Sequence, residues 1–438
     1  MCKSAITKGF SAPLKGEITV PPDKSVSHRS LIIGSLTKGK IRISNFLKSA
    51  DCLATLEILR QLGCEINFLD ENTLILNAKN AYITPKKDLY CGNSGTTMRL
   101  LTGLLATQNL ECTLTGDISL SKRPMKRIIE PLTKMGASIK SNEGKAPLVI
   151  QQTKLNAIEY ISPIASAQVK SALLLAGSQI PEKRTTVFEP HLSRNHSEKM
   201  LEFFGSNIQT FNKDKLFGSS ISYTPLIPKD LTVIGDISSA SFLMIAAAVI
   251  KNSDIILKGI GLNPTRTGII DVMKAMNADI ELLSKDKISN EEIGDIRIKY
   301  SPDLKGTTVE GAIIPRLIDE IPAIALLATQ AEGKTVIKDA GDLKNKESDR
   351  IACVTRELRK FGANIEATDD GFIIEGKNAQ KGLFEGNTEV ECYHDHRIAM
   401  TGYIAGLISK NPCKINDFQW AETSFPGFLG IFEKLSRG

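Results

Sequence analysis

A pattern that recurs along the whole chain constrains the fold more than any other feature. Each copy has Leu or Met, an apolar residue three positions later, then Gly or Asn, a small residue and, two positions on, Ile. Helical spacing of apolar residues, a left-handed C′ cap at Gly or Asn and a strand opened by Ile explain this order. The sequence therefore predicts five helix–cap–strand units, at 59–66, 132–139, 201–208, 273–280 and 358–365.

A second unit alternates with the first. It has a polar start, a short helix that is apolar nearly all round, a turn and a strand. Six copies begin at Ser25, Ser94, Ser166, Ser238, Asp319 and His394. Helices that are apolar on every face belong in the interior, with sheets packed outside them. This predicts an α/β protein with helices inside and sheets outside.

The count of units predicts the domain organisation. The first unit is complete five times, and its sixth copy, at 432–438, stops before a strand. We expect the stretch 14–22 to supply that strand. Residues 1–22 and 236–438 then form one three-repeat domain and residues 23–235 the other, with crossings at Pro21-Pro22 and near 233–236. A cleft between two domains is the default place for a ligand.

Composition excludes several classes of protein. The apolar run 242–250 is nine residues long, whereas a membrane span needs about 20, and the N-terminal stretch lacks the apolar region of a signal peptide. We therefore expect a cytoplasmic protein with no membrane partner. The net charge of +6 and an aromatic content of 5% argue against a nucleic-acid partner. Eight cysteines without a CxxC pair indicate buried, reduced thiols.

Cations recur where helices are predicted to start. The helix dipole disfavours a cation at that end unless an anion lies beside it. The residues concerned are Lys24, Arg29, Arg123, Arg194, Lys346, Arg350 and Arg397. Their recurrence predicts sites for phosphate or carboxylate groups, with the Ser25 hydroxyl beside the first.

Three motifs leave alternatives open. The stretch 91–100 resembles a phosphate loop but lacks the Lys-Ser/Thr ending of nucleotide-binding loops. The HxH spacing at His394 and His396 fits a metal or a capping role, and we predict no metal because no partner ligands are placed for one and Arg397 would repel it. Asp319 is either an ordinary helix cap or a general base.

The motifs together resemble one family, the 5-enolpyruvylshikimate-3-phosphate synthases. In chain order they are DKSVSHR, GNSGTTMRL, SKRPM, SAQVKSALLLAG, SRNHSEKML, DEIPAIA, KESDR, DHRIAM and TSFPGF. The resemblance runs along nearly the whole chain. It implies the enolpyruvyl transferase fold, an inside-out α/β barrel of two domains with three βαβαββ-type repeats each. It also implies transfer of an enolpyruvyl group from phosphoenolpyruvate to shikimate 3-phosphate, without metal or cofactor, by a monomer that glyphosate inhibits.

The resemblance also implies site residues. Those for shikimate 3-phosphate are Lys24, Ser25, Arg29, Ser166, Ala167, Gln168, Arg194, Asp319 and Lys346. Those for phosphoenolpyruvate are Lys24, Asn93, Gly95, Arg123, Gln168, Arg350 and Arg397. Asp319 matches the proton acceptor, with Lys24 or Glu347 as its partner in proton transfer.

Three positions depart from the family pattern. Pro22 stands where many members have Gly, Ala167 where one branch has a second Ser, and Glu422 where that branch has a Lys that contacts phosphoenolpyruvate. The first two look like branch differences, whereas the third removes one cation from the site.

Two rival functions fit parts of the pattern. A UDP-N-acetylglucosamine enolpyruvyl transferase would share the repeats but not the shikimate-enzyme motifs. A phosphate-sensing or nucleic-acid-end-binding module would use the cations without turnover, and salt-dependent binding of oligonucleotides would favour it.

Overall fold

The structure is a computed structural model that describes residues 4–78, 81–181, 183–377 and 384–437. The α-helices of these residues are α1 Lys24–Gly34, α2 Ala50–Gln61, α3 Gly95–Leu105, α4 Ile118–Lys122, α5 Lys126–Lys134, α6 Ala167–Gly177, α7 His196–Phe203, α8 Ile237–Val249, α9 Gly268–Ala275, α10 Ile321–Thr329, α11 Arg350–Lys360, α12 His396–Leu407 and α13 Phe428–Arg437. Short 3₁₀ helices span Gly311–Arg316, Gly341–Asn345 and Phe418–Thr423.

The strands alternate with the helices along the chain. They are β1 Ser4–Thr7, β2 Lys15–Thr19, β3 Gly39–Ser44, β4 Glu65–Phe68, β5 Leu74–Ala78, β6 Leu89–Tyr90, β7 Cys112–Thr115, β8 Ser138–Asn142, β9 Lys145–Gln151, β10 Glu159–Ile161, β11 Thr185–Glu189, β12 Gln209–Lys213, β13 Leu216–Ile221, β14 Leu231–Thr232, β15 Asp254–Gly261, β16 Ile280–Leu282, β17 Asp286–Ile288, β18 Glu291–Lys299, β19 Thr308–Val309, β20 Gly333–Ile337, β21 Asn364–Ala367, β22 Phe372–Gly376, β23 Glu389–Val390 and β24 Cys413–Asn416.

The chain divides into two compact units. The first unit comprises Pro22–Ile234 and Lys287–Glu291, and the second comprises the described residues of Met1–Pro21, Gly235–Asp286 and Glu292–Gly438. Sheets in the first unit have the strand orders β14-β3-β5-β4, β6-β7-β9-β8 and β10-β11-β13-β12. Those in the second are β16-β18-β15-β2, with β17 also paired to β18, then β19-β20-β22-β21 and β1-β24-β23.

The apolar helices of the repeat that begins with a polar residue are interior, as predicted from the sequence. Every residue of α8, α10 and α12 is buried. In the first unit, α1, α3 and α6 are buried apart from residues of their first turns and Arg99. Burial on every face removes the need for a polar stripe, which is why these sequences show almost none.

The cap residues of the helix–cap–strand repeats also adopt the predicted conformation. All five have positive φ, at Gly63 (97°), Gly136 (105°), Gly205 (85°), Asn277 (64°) and Gly362 (85°). They end α2, α5, α7, α9 and α11. The left-handed cap stops each helix and turns the chain into the next strand.

The strand expected to complete the sixth repeat was assigned wrongly. Ser4–Thr7 pairs antiparallel with β24, whereas Lys15–Thr19, from the stretch predicted for this role, pairs parallel with β15. The reason lies in the crossings. A strand before an inner helix normally pairs parallel with the strand after that helix. At the two crossings the partners are exchanged. The strand before α1, β2, pairs with β15, and the strand before α8, β14, pairs with β3.

Seven cysteines lie in the described part of the chain, and all seven are free and buried; Cys2 lies outside the described residues. Burial is the main cause that raises the pKa of the Cys353 thiol to about 11 and that of Cys52 to about 12. No helix in the described ranges is long and apolar enough to cross a membrane.

Candidate active site

The inner helices of the first unit begin with capped N-termini. Asp23, Ser94 and Ser166 precede α1, α3 and α6, and each side chain accepts a hydrogen bond from the backbone N–H three residues later. A cap of this kind leaves the other N–H groups of the first turn available to a ligand.

These three N-termini lie at the same end of the unit. Gln168 in the first turn of α6 donates to Thr96 Oγ1 in the first turn of α3, at 3.0 Å. Arg29 in the second turn of α1 donates to Ser171 Oγ in the second turn of α6, also at 3.0 Å. The positive ends of three helix dipoles therefore lie side by side and favour anions there.

Lys24 and Arg29 project from α1 at this end. Arg29 is 3% exposed and donates from Nε to Ser197 Oγ at 2.7 Å and from Nη1 to the Ser25 carbonyl oxygen at 3.1 Å. Lys24 forms an ion pair with Asp51 at 3.1 Å. Sequence reasoning did not identify Ser197 or Asp51, because both contacts join segments distant along the chain.

A second group lies around the start of α3. Arg123 donates to Asn93 Oδ1 at 2.7 Å, and Asn93 Nδ2 donates to Asp117 Oδ2 at 2.7 Å. Gly95 is the first residue of α3, and a Cβ there would lie 2.9 Å from Arg99 Nη1 and 3.3 Å from Arg123 Nη1. Glycine thus keeps space open beside two guanidinium groups.

Arg99 contacts one of the expected residues and was not identified from the sequence. Its Nη1 donates to Gln168 Oε1 at 2.6 Å, and its Nη2 donates to the Pro124 carbonyl oxygen at 3.3 Å. Its position four residues after Gly95, on the same face of α3, was the available signal. Arg194 lies half-buried in the segment between β11 and α7.

The second unit places one arginine among three carboxylates. Arg350, whose side chain is 1% exposed, contacts Asp395 at 2.9 Å, Glu347 at 2.7 Å and Asp319 at 3.1 Å. Burial opposes its charge, but Asp395, Glu347 and Asp319 outweigh that effect and raise the pKa of Arg350. These carboxylates belong to the protein itself, so Arg350 has charged partners besides the anion that the sequence led us to expect.

Asp319 is not the cap of α10. The N-cap position belongs to Glu320, which makes no side-chain cap hydrogen bond, and the Asp319 carboxylate accepts from Arg350 Nη1 instead. Its side chain is 19% exposed. A partly exposed carboxylate held by an arginine has a fixed orientation, as a general base requires.

The positive charge of Arg397 is balanced by nearby carboxylates less fully than that of Arg350. It is 6% exposed, and its Nε is buried without a hydrogen-bond partner among the described residues. Its Nη2 lies 4.0 Å from Asp319 Oδ2. A buried guanidinium with one distant carboxylate favours a further anion.

The structure also gives the contacts of Lys346, of Glu422 and of the HxH motif. Lys346 pairs with Asp342 at 3.0 Å, and Glu422 accepts from the Gly427 N–H at 3.2 Å. Asp395 caps α12 by accepting from the Arg397 N–H, and the ring of His394 packs against that of Trp420. In the part of the chain that the structure describes, no group of three His, Cys, Asp or Glu side chains is placed to hold a metal.

Each unit therefore carries one array of the expected residues. The first-unit array consists of Lys24, Ser25, Arg29, Asn93, Gly95, Arg123, Ser166, Ala167, Gln168 and Arg194. The second-unit array consists of Asp319, Lys346, Glu347, Arg350 and Arg397.

Known proteins match this chain along nearly its full length. Residues 9–432 match the family model described as EPSP synthase (3-phosphoshikimate 1-carboxyvinyltransferase). The 3-phosphoshikimate 1-carboxyvinyltransferase of Petrotoga mobilis is 48% identical over 427 residues, which cover 96% of this chain and 97% of that protein. The enzyme of the same name from Bacillus licheniformis is 47% identical over 432 residues, covering 98% and 99%.

Solved structures agree with the sequence comparison. The EPSP synthase of Acinetobacter baumannii has a TM-score of 0.85 and 40% identity, covering 99% of this chain and 98% of that one. The enolpyruvyl transferase NikO from Streptomyces tendae has a TM-score of 0.76 over 99% and 97% of the two chains, at 16% identity, and so supports the fold alone. With these matches and the two arrays of side chains, the chain belongs to the EPSP synthase (3-phosphoshikimate 1-carboxyvinyltransferase) family.

Proposed function

We propose that the two arrays together bind shikimate 3-phosphate and phosphoenolpyruvate, and that the enolpyruvyl group passes to the 5-hydroxyl of the shikimate with release of phosphate. Family membership assigns the chain to this transfer, a step of aromatic amino acid biosynthesis. What the arrays add is an account of how its own side chains carry the reaction out.

The buried, weakly compensated Arg397 carries the proposal. The two substrates together bring two phosphates and two carboxylates, which repel one another unless cations lie between them. Arg397 and Arg123, 6% exposed each, supply positive charge for these anions. The converging helix N-termini add to this field on the first unit. We assign phosphoenolpyruvate to these two arginines, with Arg350 positioning the carboxylates around them.

The carboxylates supply the proton chemistry. The acceptor hydroxyl adds to C2 of phosphoenolpyruvate while C3 gains a proton, and the tetrahedral intermediate then loses phosphate and a C3 proton. Asp319 takes the hydroxyl proton in this scheme, and Glu347 or Lys24 gives and recovers the C3 proton. Asp319 and Glu347 share Arg350 as a hydrogen-bond donor, so one residue orients both.

One assay tests the reaction and its nearest rival. Phosphate release is measured from phosphoenolpyruvate with shikimate 3-phosphate or with UDP-N-acetylglucosamine as acceptor. Release with the shikimate alone supports the proposal. Release with the sugar nucleotide alone, or binding of oligonucleotides without turnover, would contradict it.

Ligand binding is expected to bring the units together. Each unit holds one array, so a substrate that contacts both arrays binds a closed form more tightly and shifts the equilibrium towards it. Small-angle scattering should show a smaller radius of gyration with shikimate 3-phosphate and glyphosate than without them. An unchanged radius would count against closure. Because both arrays lie in one chain, the enzyme is expected to act as a monomer, which sedimentation measures directly.

Arg194→Ala should weaken shikimate 3-phosphate more than phosphoenolpyruvate. The change removes a charge-assisted contact to the substrate phosphate, which is worth about 2 to 3 kcal/mol. Calorimetry measures the dissociation constant of shikimate 3-phosphate directly. Unchanged affinity would place Arg194 outside the site. Lys183→Ala, at an exposed position of the same unit, is the control and should leave the constant unchanged.

Gly95→Ala should raise the inhibition constant of glyphosate by more than it raises the Michaelis constant for phosphoenolpyruvate. The backbone at Gly95 does not have positive φ, so alanine causes no backbone strain. Its methyl group instead crowds Arg99 and Arg123, and the slightly longer inhibitor needs that space more than the substrate does. An unchanged ratio of the two constants would reject the steric argument. Gly430→Ala, with no atom within 4 Å of the new Cβ, is the matched control.

A further inference from the structure

A buried lysine that the proposed chemistry does not use lies one turn inside α6. The Lys170 side chain is 1% exposed and forms ion pairs with Glu198 of α7 at 2.8 Å and with Glu189 at the end of β11 at 3.3 Å. Burial opposes its charge, but Glu198 and Glu189 outweigh it and raise the pKa of Lys170. The cluster therefore holds a permanent cation between two elements that flank the Arg194 segment.

The cluster holds every polar group of Ser193. The Ser193 N–H donates to Glu189 Oε1, its hydroxyl donates to Glu189 Oε2 at 2.9 Å, and its carbonyl oxygen accepts from Lys170 Nζ at 3.4 Å. Ser193 is 3% exposed and immediately precedes Arg194. The backbone is thus immobilised directly before the arginine.

The chain is held again two residues after Arg194. His196 Nδ1 lies 2.7 Å from Glu291 Oε1. Ser197 Oγ lies 2.6 Å from Ser171 Oγ, next to Lys170 on α6. Arg194 and Asn195 therefore lie between two anchored residues, and one of the two anchors depends on Lys170.

Stability does not account for such a cluster. A buried ion pair is often no more stabilising than apolar side chains of similar volume, because removing the charges from water costs about as much as their attraction returns. Buried charges do impose a specific geometry, since each group must keep its partners. The geometry imposed here is that of the Arg194 backbone.

We propose that Lys170 is a positioning residue for the phosphate of shikimate 3-phosphate, acting through Ser193 on Arg194 without contact with the substrate. This inference rests on the proposed role of Arg194. Without the ammonium group, Glu189 and Glu198 repel each other and the Ser193 carbonyl loses its donor. The guanidinium of Arg194 is then no longer held where the phosphate binds, and a displacement of this kind weakens a charge-assisted contact steeply.

A double-mutant cycle tests the coupling. Lys170→Met, Arg194→Ala and the double variant are compared in the full chain by calorimetry with shikimate 3-phosphate. Lys170→Met should weaken binding about tenfold, and the double variant should bind no more weakly than Arg194→Ala alone. The Michaelis constant for phosphoenolpyruvate should change less than twofold, to about the precision of such comparisons.

Two further variants guard against a folding defect. Ser193→Ala removes one donor to Glu189 while keeping the lysine, and it replaces Lys170→Met in the cycle if that variant does not fold. Lys360→Met breaks an ion pair with the buried Glu357 in the second unit, at 2.7 Å. This control loses a lysine–glutamate ion pair away from Arg194, in which the lysine is 34% exposed, and should leave the affinity for shikimate 3-phosphate unchanged.

Each outcome of the cycle decides the matter. A double variant that binds shikimate 3-phosphate no more weakly than Arg194→Ala supports positioning through Arg194. If the two losses of affinity multiply in the double variant, or if both substrates lose affinity equally, the role of Lys170 is overturned. The assignment of Arg194 is not affected by that result. Unchanged affinity in Arg194→Ala would overturn the assignment of Arg194 and the role of Lys170 with it.

Discussion

Asp319→Asn is expected to lower turnover by about 100-fold or more with little loss of shikimate 3-phosphate binding. The amide keeps the shape of the side chain and can still accept a hydrogen bond from Arg350. In the unsubstituted protein, Arg350 Nη1 lies 3.1 Å from Asp319 Oδ1. What it loses is the ability to take a proton from the acceptor hydroxyl. Steady-state turnover and the dissociation constant, measured on the same preparation, separate these two effects.

The control for Asp319→Asn removes another arginine-paired carboxylate. Asp254 contacts Arg297 at 2.6 Å in a partly exposed pair, and Asp254→Asn should leave turnover nearly unchanged. Near-normal turnover in Asp319→Asn would remove this residue from the reaction. A parallel loss of binding and turnover would instead indicate that Asp319 holds the substrate without acting as a base.

Arg350→Met is expected to cost about 3 to 5 kcal/mol in the free energy of unfolding, besides abolishing most activity. The variant leaves Asp395, which is fully buried, without its two hydrogen bonds from the guanidinium at 2.9 and 3.3 Å. Glu347 and Asp319 lose their shared donor as well. Three carboxylates then remain close together with less positive charge among them. Urea denaturation gives the free energy of unfolding.

Two comparisons identify the cause of that loss. Arg297→Met breaks the partly exposed pair with Asp254 and should lower the free energy of unfolding far less than Arg350→Met does. Arg350→Met combined with Asp395→Asn should recover part of the stability, because asparagine still caps α12 and no longer carries a buried charge. A double variant less stable than Arg350→Met would contradict the account based on unpaired charge.

The repeat units were predictable because their signals are local. Gly63 and Asn277 mark helix ends through their own backbone preferences, and the residues of α8 show interior burial through their lack of polar side chains. Such properties need no knowledge of distant partners. The fold class and the outline of both arrays followed from them and from the motifs.

Contacts between distant segments were not predictable in the same way. Arg350 meets Asp395, 45 residues later in the chain, and Arg99 meets Gln168, 69 residues later. Nothing near Arg350 in the sequence indicates that Asp395 lies beside it. The sequence correctly placed Arg350 and Arg397 in the first turns of helices. It was wrong for Arg123, which is the C-cap of α4, and for Lys346, which is the C-cap of the 3₁₀ helix Gly341–Asn345. It also could not show that Arg350 is balanced within the protein whereas Arg397, among the described residues, has one carboxylate at 4.0 Å.

The sequence by itself determined the helix–cap–strand repeats, the interior helices and the identity of the charged side chains, because each depends on the chemistry of neighbouring residues. The tertiary structure alone decided the exchange of β2 and β14 between the sheets, the carboxylates around Arg350 and the clamp of Lys170 on Ser193. These depend on which segments meet in space, and pairing across tens of residues is set by the packing of the whole unit rather than by any local preference.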